Sequence, residues 1–127
     1  GQIKSPDKRI ELFDILNKNK IEIATLLSNS SIISRYSKIG KGTAVMNSVI
    51  INSGAKVGAN CILNTNSIIE HDVTIGNHNH IAPGSIINGG VQIGNNCFIG
   101  SGAIIKQGIK IKSNSFVQAG KIVLKNI

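Results

Sequence analysis

From Ser31 to Asn126 the sequence divides into sixteen consecutive hexads, SIISRY, SKIGKG, TAVMNS and so on to KIVLKN, with no insertion or slip. The third place of every hexad is aliphatic, from Ile33 and Ile39 to Val117 and Val123. A fixed short period sets the architecture before any other signal is read. Six residues are too few for a helical repeat. They fit one flat side of a three-sided parallel β-helix, with eighteen residues per coil and about five coils in the run. Aromatic residues make up only 3% of the chain and Trp is absent. A conventional globular core would need larger side chains, whereas a stack of one Ile or Val per hexad does not. Burying each of those aliphatics contributes roughly 2 kcal/mol.

Reading every eighteenth residue resolves three unlike faces. The third and first places of each hexad point inward, and the second points outward, because side chains alternate along a strand. The outward column of the first face is Ile32, Ile50, Ile68, Ile86, Ile104 and Ile122. That of the second is Lys38, Lys56, Thr74, Gln92 and Lys110, and that of the third includes Ala44, Ile62, His80, Phe98 and Phe116. The second face is solvated. Six outward isoleucines form too large an apolar patch to leave in water, so packing around an axis into a homotrimer is expected, with a dimer as the alternative and a monomer disfavoured. Gly40, Gly58, Gly76 and Gly94 recur every eighteen residues and are expected to mark a tight corner with positive φ.

Residues 1–30 lie outside the repeat. Ser5-Pro6-Asp7 reads as a helix start, with Ser as N-cap. Ile10, Leu12, Phe13, Ile15 and Leu16 give an apolar face at helical spacing, and Asn17 to Lys20 ends it. Such a helix covers the open N-terminal end of the coil, is the remnant of a preceding domain, or both. Cys61 and Cys97 share one column with Asn79 between them. Two coils separate them by about 9.6 Å, beyond disulfide reach, so both are expected to be buried thiols. The net charge is +8. It suits either a plain basic surface or an anionic small molecule. Nucleic acid is disfavoured, because no aromatics interleave the scattered lysines. No apolar run is long enough for a membrane span and no signal peptide is visible, so a cytoplasmic chain is expected.

All three histidines fall within ten residues: His71, His78 and His80. His71 lies between Glu70 and Asp72 at a corner. A carboxylate that accepts a hydrogen bond from one ring nitrogen fixes the tautomer and raises the basicity of the other, which is a general-base arrangement. His80 sits on the apolar third face and suits either a ligand channel or a subunit interface. His78 is at a corner of the solvated side and receives no role. Three histidines on a trimeric β-helix also resemble gamma-class carbonic anhydrases, but here they fall on different corners and faces, and no metal site is expected.

These residues resemble the left-handed β-helix acyltransferases. Asn64-Thr65, Glu70-His71-Asp72 and His80-Ile81-Ala82-Pro83-Gly84 are similar to the bacterial sialic-acid O-acetyltransferase and UDP-amino-sugar N-acetyltransferase group. The resemblance implies an all-β, left-handed coil over 31–127, a preceding piece of a Rossmann-like sugar-binding domain over 1–30, and acetyl-CoA as co-substrate. It implies His71 as catalytic base, supported by Asp72 and Glu70, and His80 at the thioester. It implies the Gly89 N–H as carbonyl donor, Ser101 and Ala119 along the coenzyme, and Asn64 on the acceptor sugar. Three departures stand out. Most of the N-terminal domain of that group is not matched, Ser28-Asn29 replaces a common His-Pro pair, and the sequence stops at Ile127 before the usual tail. A non-catalytic trimeric assembly module and a zinc hydratase are the alternatives. The acceptor, and N- against O-acetylation, are not readable from these residues.

Overall fold

The computed structural model describes residues 5–127. A single helix, α1 (Asp7–Lys18), is followed by seventeen two-residue strands, from β1 (Leu26–Leu27) to β17 (Ile122–Val123). The strands are this short because a corner interrupts the chain every six residues. They form three parallel sheets, each pairing residue i with residue i+18. We call them the isoleucine sheet (Ile32 to Ile122), the lysine sheet (Lys38 to Lys110) and the aromatic sheet (Leu26 to Phe116), after their outward columns. The chain winds around them in that order. Pairing begins at Leu26, which lies in register with Ala44, so the coil starts ahead of Ser31.

The third places fill the interior. Ile51, Leu63, Ile69, Ile81, Ile87, Ile99 and Ile105 are buried. The first places complete the core as small side chains. In one such column polar groups stack as a ladder: the Cys61 N–H donates to Thr43 Oγ1 (3.0 Å), and the Cys97 N–H to Asn79 Oδ1 (2.6 Å). Both cysteines are buried free thiols. Burial, the largest cause, pushes the Cys61 thiol up to about 11.

The corners correct one expectation. Positive φ occurs at the sixth place of fourteen consecutive hexads, from Gly42 through Asp72 (+59°) and His78 (+62°) to Gly120. Gly40, Gly58, Gly76 and Gly94 are not among these residues. Their role is close approach: a Cβ on Gly40 would lie 2.6 Å from the Ala59 nitrogen of the next coil. At Gly58 and Gly76 the missing Cβ leaves room for Asn77 and Asn95, whose Oδ1 atoms accept from the backbone N–H of the preceding coil at 2.8 and 2.7 Å.

Helix α1 does not sit over the N-terminal end of the core. It lies along the corner between the lysine and aromatic sheets. Arg9 donates to the carbonyls of Asn60 and His78 (3.0 Å to the latter), and Lys41 Nζ donates to Asn17 Oδ1 (2.5 Å). Pro6 holds the N-cap place, while Ser5 Oγ accepts from the Asp7 N–H at 3.2 Å. The expected helix start is thus displaced by one residue. No helix among the described residues is long and apolar enough to cross a membrane.

Candidate functional site

The first group of site residues stands at the corner between the isoleucine and lysine sheets. Two backbone bonds pin this corner to its neighbouring coils. The Asp72 N–H donates to the Ser53 carbonyl (3.0 Å), and the Gly90 N–H donates to the His71 carbonyl (3.0 Å). Asp72 enters the left-handed region, which Asp tolerates better than most residues. His71 Nδ1 lies 3.0 Å from Asp72 Oδ2, and both side chains are exposed. The carboxylate accepts from Nδ1–H, so the neutral ring carries its lone pair on Nε2. Glu70 does not reach the ring; its Oε2 accepts from the His71 backbone N–H at 3.4 Å.

Two glycines make room for this dyad, one coil to either side. A Cβ on Gly54 would collide with the Asp72 carboxylate. A Cβ on Gly89 would stand 2.6 Å from His71 Nε2 and 2.7 Å from Cε1. The His71 ring therefore rests against the Gly89 backbone, and the Gly89 N–H makes no hydrogen bond among the described residues. Sequence reasoning placed Gly89 beside this corner but missed Gly54. The available signal was a small residue eighteen positions before Asp72.

The second group lies on the aromatic sheet and at its corner with the isoleucine sheet. His80 is 8% exposed and meets Phe98 edge-on, with centroids 5.2 Å apart. Phe98 stacks on Phe116 at 5.0 Å. Asn64 Nδ2 lies 3.2 Å from His80 Nε2, while Asn64 Oδ1 accepts from the Thr65 N–H at 2.8 Å. That second bond orients the amide, so Asn64 donates to His80 and leaves Nε2 as the acceptor. Asn64 thus touches another site residue, which the column pattern did not reveal. Ser101 and Ala119 are exposed in one column of the same corner, joined where the Gly120 N–H donates to the Ser101 carbonyl (2.8 Å).

The two groups are separated by the isoleucine sheet. One chain brings together Glu70, His71, Asp72 and Gly89, and separately Asn64, His80, Ser101 and Ala119. His78 belongs to neither, and it is not at a solvated corner. Its ring packs edge-on to Phe13 at 5.6 Å, and its Nδ1 lies 2.9 Å from Asn60 Nδ2, beneath α1. Burial, then the charge of Arg9, lower its pKa, and Asp14 partly offsets them. Among the described residues no group of three or more His, Cys, Asp or Glu is placed to hold a metal ion.

Comparison with known proteins bears on the repeat and the fold. Residues 54–89 match the model of the bacterial transferase hexapeptide (six repeats), and residues 90–125 match the hexapeptide repeat of succinyl-transferase. Together the two matches span residues 54–125, so the chain carries the hexapeptide repeat. No curated protein sequence matches it. Among solved structures, the repeat chain is similar to PerB from Caulobacter crescentus in complex with CoA and GDP-perosamine. The identity is 30% and the TM-score 0.95, covering 98% of this chain and 60% of that one. The acetyltransferase domain of PglB from Neisseria gonorrhoeae shares the fold, with 24% identity and a TM-score of 0.95 over 98% of this chain and 61% of that one. WeeI from Acinetobacter baumannii is 26% identical with a TM-score of 0.76, over 96% and 65%. The hexapeptide-repeat chain thus spans about three fifths of the length of the first two. A coil of opposite hand could not superpose at a TM-score of 0.95, so it also shares their hand.

Proposed function

We propose that this chain is the transfer domain of an acetyl-CoA-dependent acetyltransferase acting on an amino or hydroxyl group of a nucleotide-linked sugar, in the making of bacterial surface glycans. The observation that carries the reading is the His71–Asp72 pair, 3.0 Å apart, with Nε2 packed where a Gly89 Cβ would stand, beside a Gly89 N–H that makes no hydrogen bond among the described residues. A 30% identical structure holds CoA and GDP-perosamine, and a histidine variant of that perosamine N-acetyltransferase was solved with the same two ligands. Both support the same chemistry here.

In this mechanism the acceptor nitrogen or oxygen attacks the thioester carbonyl carbon while His71 Nε2 takes its proton. Asp72 holds the ring in the tautomer that can do so and stabilises the imidazolium. The Gly89 N–H donates to the developing oxyanion, a fixed dipole that needs no rearrangement during reaction. The intermediate then collapses. The C–S bond breaks, and the proton on His71 passes to the leaving sulfur. Neither cysteine participates, because both are buried. His80 is unsuited to general-base work in this arrangement, since its Nε2 already accepts from Asn64; it lines the channel for the thioester end.

The two groups of residues lie on opposite sides of the isoleucine sheet, so one site needs two chains. A homotrimer packed on that sheet would set His71 and Gly89 of one protomer against the His80–Phe98–Phe116 wall of the next. The test is acetyl-CoA binding by calorimetry, together with CoA release in the presence of GDP-perosamine and related nucleotide-linked amino sugars. His71→Ala should lower turnover by about 10²–10⁴-fold with the assembly intact. Unchanged turnover would refute its role as base.

A further inference from the structure

The corner that bears His71 and Asp72 continues for two coils toward the N-terminus, where Arg35 and Tyr36 occupy the equivalent places. The stacking is fixed on both sides. Ile32, Ile50 and Ile68 are in register on one sheet, and Lys38, Lys56 and Thr74 on the other. The Gly54 N–H donates to the Tyr36 carbonyl at 3.3 Å, one place on from the carbonyl that the Asp72 N–H uses at Ser53. Arg35 and Tyr36 therefore stand about 9.6 Å from the dyad along the coil axis, two strand spacings. Between them are only Ser53 and Gly54, so the floor of the corner is low there.

The pair is organised. Arg35 Nη2 donates to Tyr36 Oη at 2.6 Å, and the guanidinium lies 4.8 Å from the ring centroid. Both residues are exposed, and no carboxylate among the described residues lies within ion-pair distance of Arg35. The remaining guanidinium donors form a planar fork suited to phosphate oxygens. Lys38 and Lys56, exposed on the adjoining sheet, add positive potential.

We propose that Arg35 and Tyr36 bind the diphosphate of a nucleotide-linked sugar whose amine or hydroxyl faces His71. This rests on the acetyltransferase reading above. Spacing selects the ligand. In a nucleotide-linked sugar, a single pyranose ring separates the reacting group from the diphosphate, which suits two coils. CoA also carries a diphosphate, but the whole pantetheine arm separates it from the thioester. Ser101 and Ala119, the residues expected along the coenzyme, lie toward the other end of the coil. The acceptor thus approaches His71 from the N-terminal side and the coenzyme from the C-terminal side.

The test is calorimetry on the full chain with GDP, UDP and acetyl-CoA as separate probes, for the wild type, Arg35→Gln and Tyr36→Phe. Arg35→Gln should weaken GDP or UDP at least tenfold and leave acetyl-CoA within twofold. Tyr36→Phe should cost a few-fold. Thermal melts check that these exposed substitutions leave the coil folded. Unchanged GDP and UDP affinity in Arg35→Gln would overturn the proposal, as would a loss confined to acetyl-CoA. So would a wild-type chain that binds neither diphosphate at millimolar concentration. If the wild type fails to bind acetyl-CoA yet binds a diphosphate through Arg35, the site stands and the acetyltransferase reading falls.

Discussion

Gly89→Ala isolates the contact on which the proposed base depends. The backbone at Gly89 is not in the left-handed region, so alanine introduces no backbone strain there. The new methyl would lie 2.6 Å from Nε2 and 2.7 Å from Cε1 of His71. Ordinary contacts between such atoms are about 3.5 Å or more, so the ring must retreat by nearly 1 Å. A displacement of that size costs about 10²-fold in rate when reacting groups must align. Full loss of a general base costs about 10²–10⁴-fold. The expected result is a kcat about 10²-fold lower, with KM for acetyl-CoA little changed. Because His71 is exposed, stability should stay within about 0.5 kcal/mol of wild type. Turnover is followed as CoA thiol release with GDP-perosamine as acceptor. A double-mutant cycle with His71→Ala sharpens the test. If Gly89 acts by seating the ring, adding Gly89→Ala to His71→Ala should cost almost nothing more. Wild-type turnover in Gly89→Ala, or full additivity in the cycle, would refute the reasoning.

Three further outcomes follow from other parts of the coil. Asn64→Asp removes the donor to His80 Nε2, so affinity for acetyl-CoA should fall several-fold while kcat at saturating acetyl-CoA stays unchanged. The His78 pKa is lowered on folding, so between that value and the ordinary 6.5 the unfolded chain binds more protons and stability falls as pH falls. Protection factors of the α1 amides, taken relative to the intrinsic exchange rate at each pH, should therefore fall below about pH 6.5; His78→Asn, a residue the same corner accepts at positions 60, 96 and 114, should flatten that dependence. Finally, Cys61 and Cys97 are buried, with thiol pKa values raised by desolvation, so iodoacetamide at pH 8 should leave both unmodified in native protein and label both in urea, as read by mass spectrometry.

The coil was legible because its period is uniform. Sixteen aliphatic third places and three outward columns could be read by counting, and each column lies in register in the structure. Contacts within the candidate site were legible where its residues are adjacent, as His71 and Asp72 are, or share a column. His71 and Gly89 are eighteen residues apart, so their proximity could be counted. Asn64 and His80 are sixteen apart and meet across a corner into the next coil, which depends on side-chain rotamers that no period reports. The place of α1 was hidden for a similar reason. Two of its anchors, the carbonyls of Asn60 and His78 that accept from Arg9, are backbone groups and leave no signature in residue type. The glycines misled because two different needs select the same residue. At Gly40 and its column the need is close approach between coils, whereas positive φ falls two places later.

That later place limits which chemistries the scaffold can host. Every corner from residue 42 to residue 120 asks for a residue able to enter the left-handed region, and the chain answers with Gly, Asn, Asp, Ser or His. Branched and bulky side chains enter that region only at a cost. Aspartate meets the demand of the turn and supplies a carboxylate in the same position. A hydrogen-bonding partner for His71 could thus arise at position 72 by exchange among residues the corner already accepts, provided that Gly54, one coil before, leaves room for the carboxylate. For redesign, these sixth places form a restricted but polar alphabet, and their neighbours in the fifth place, free of that constraint, are where new reactive side chains can be introduced.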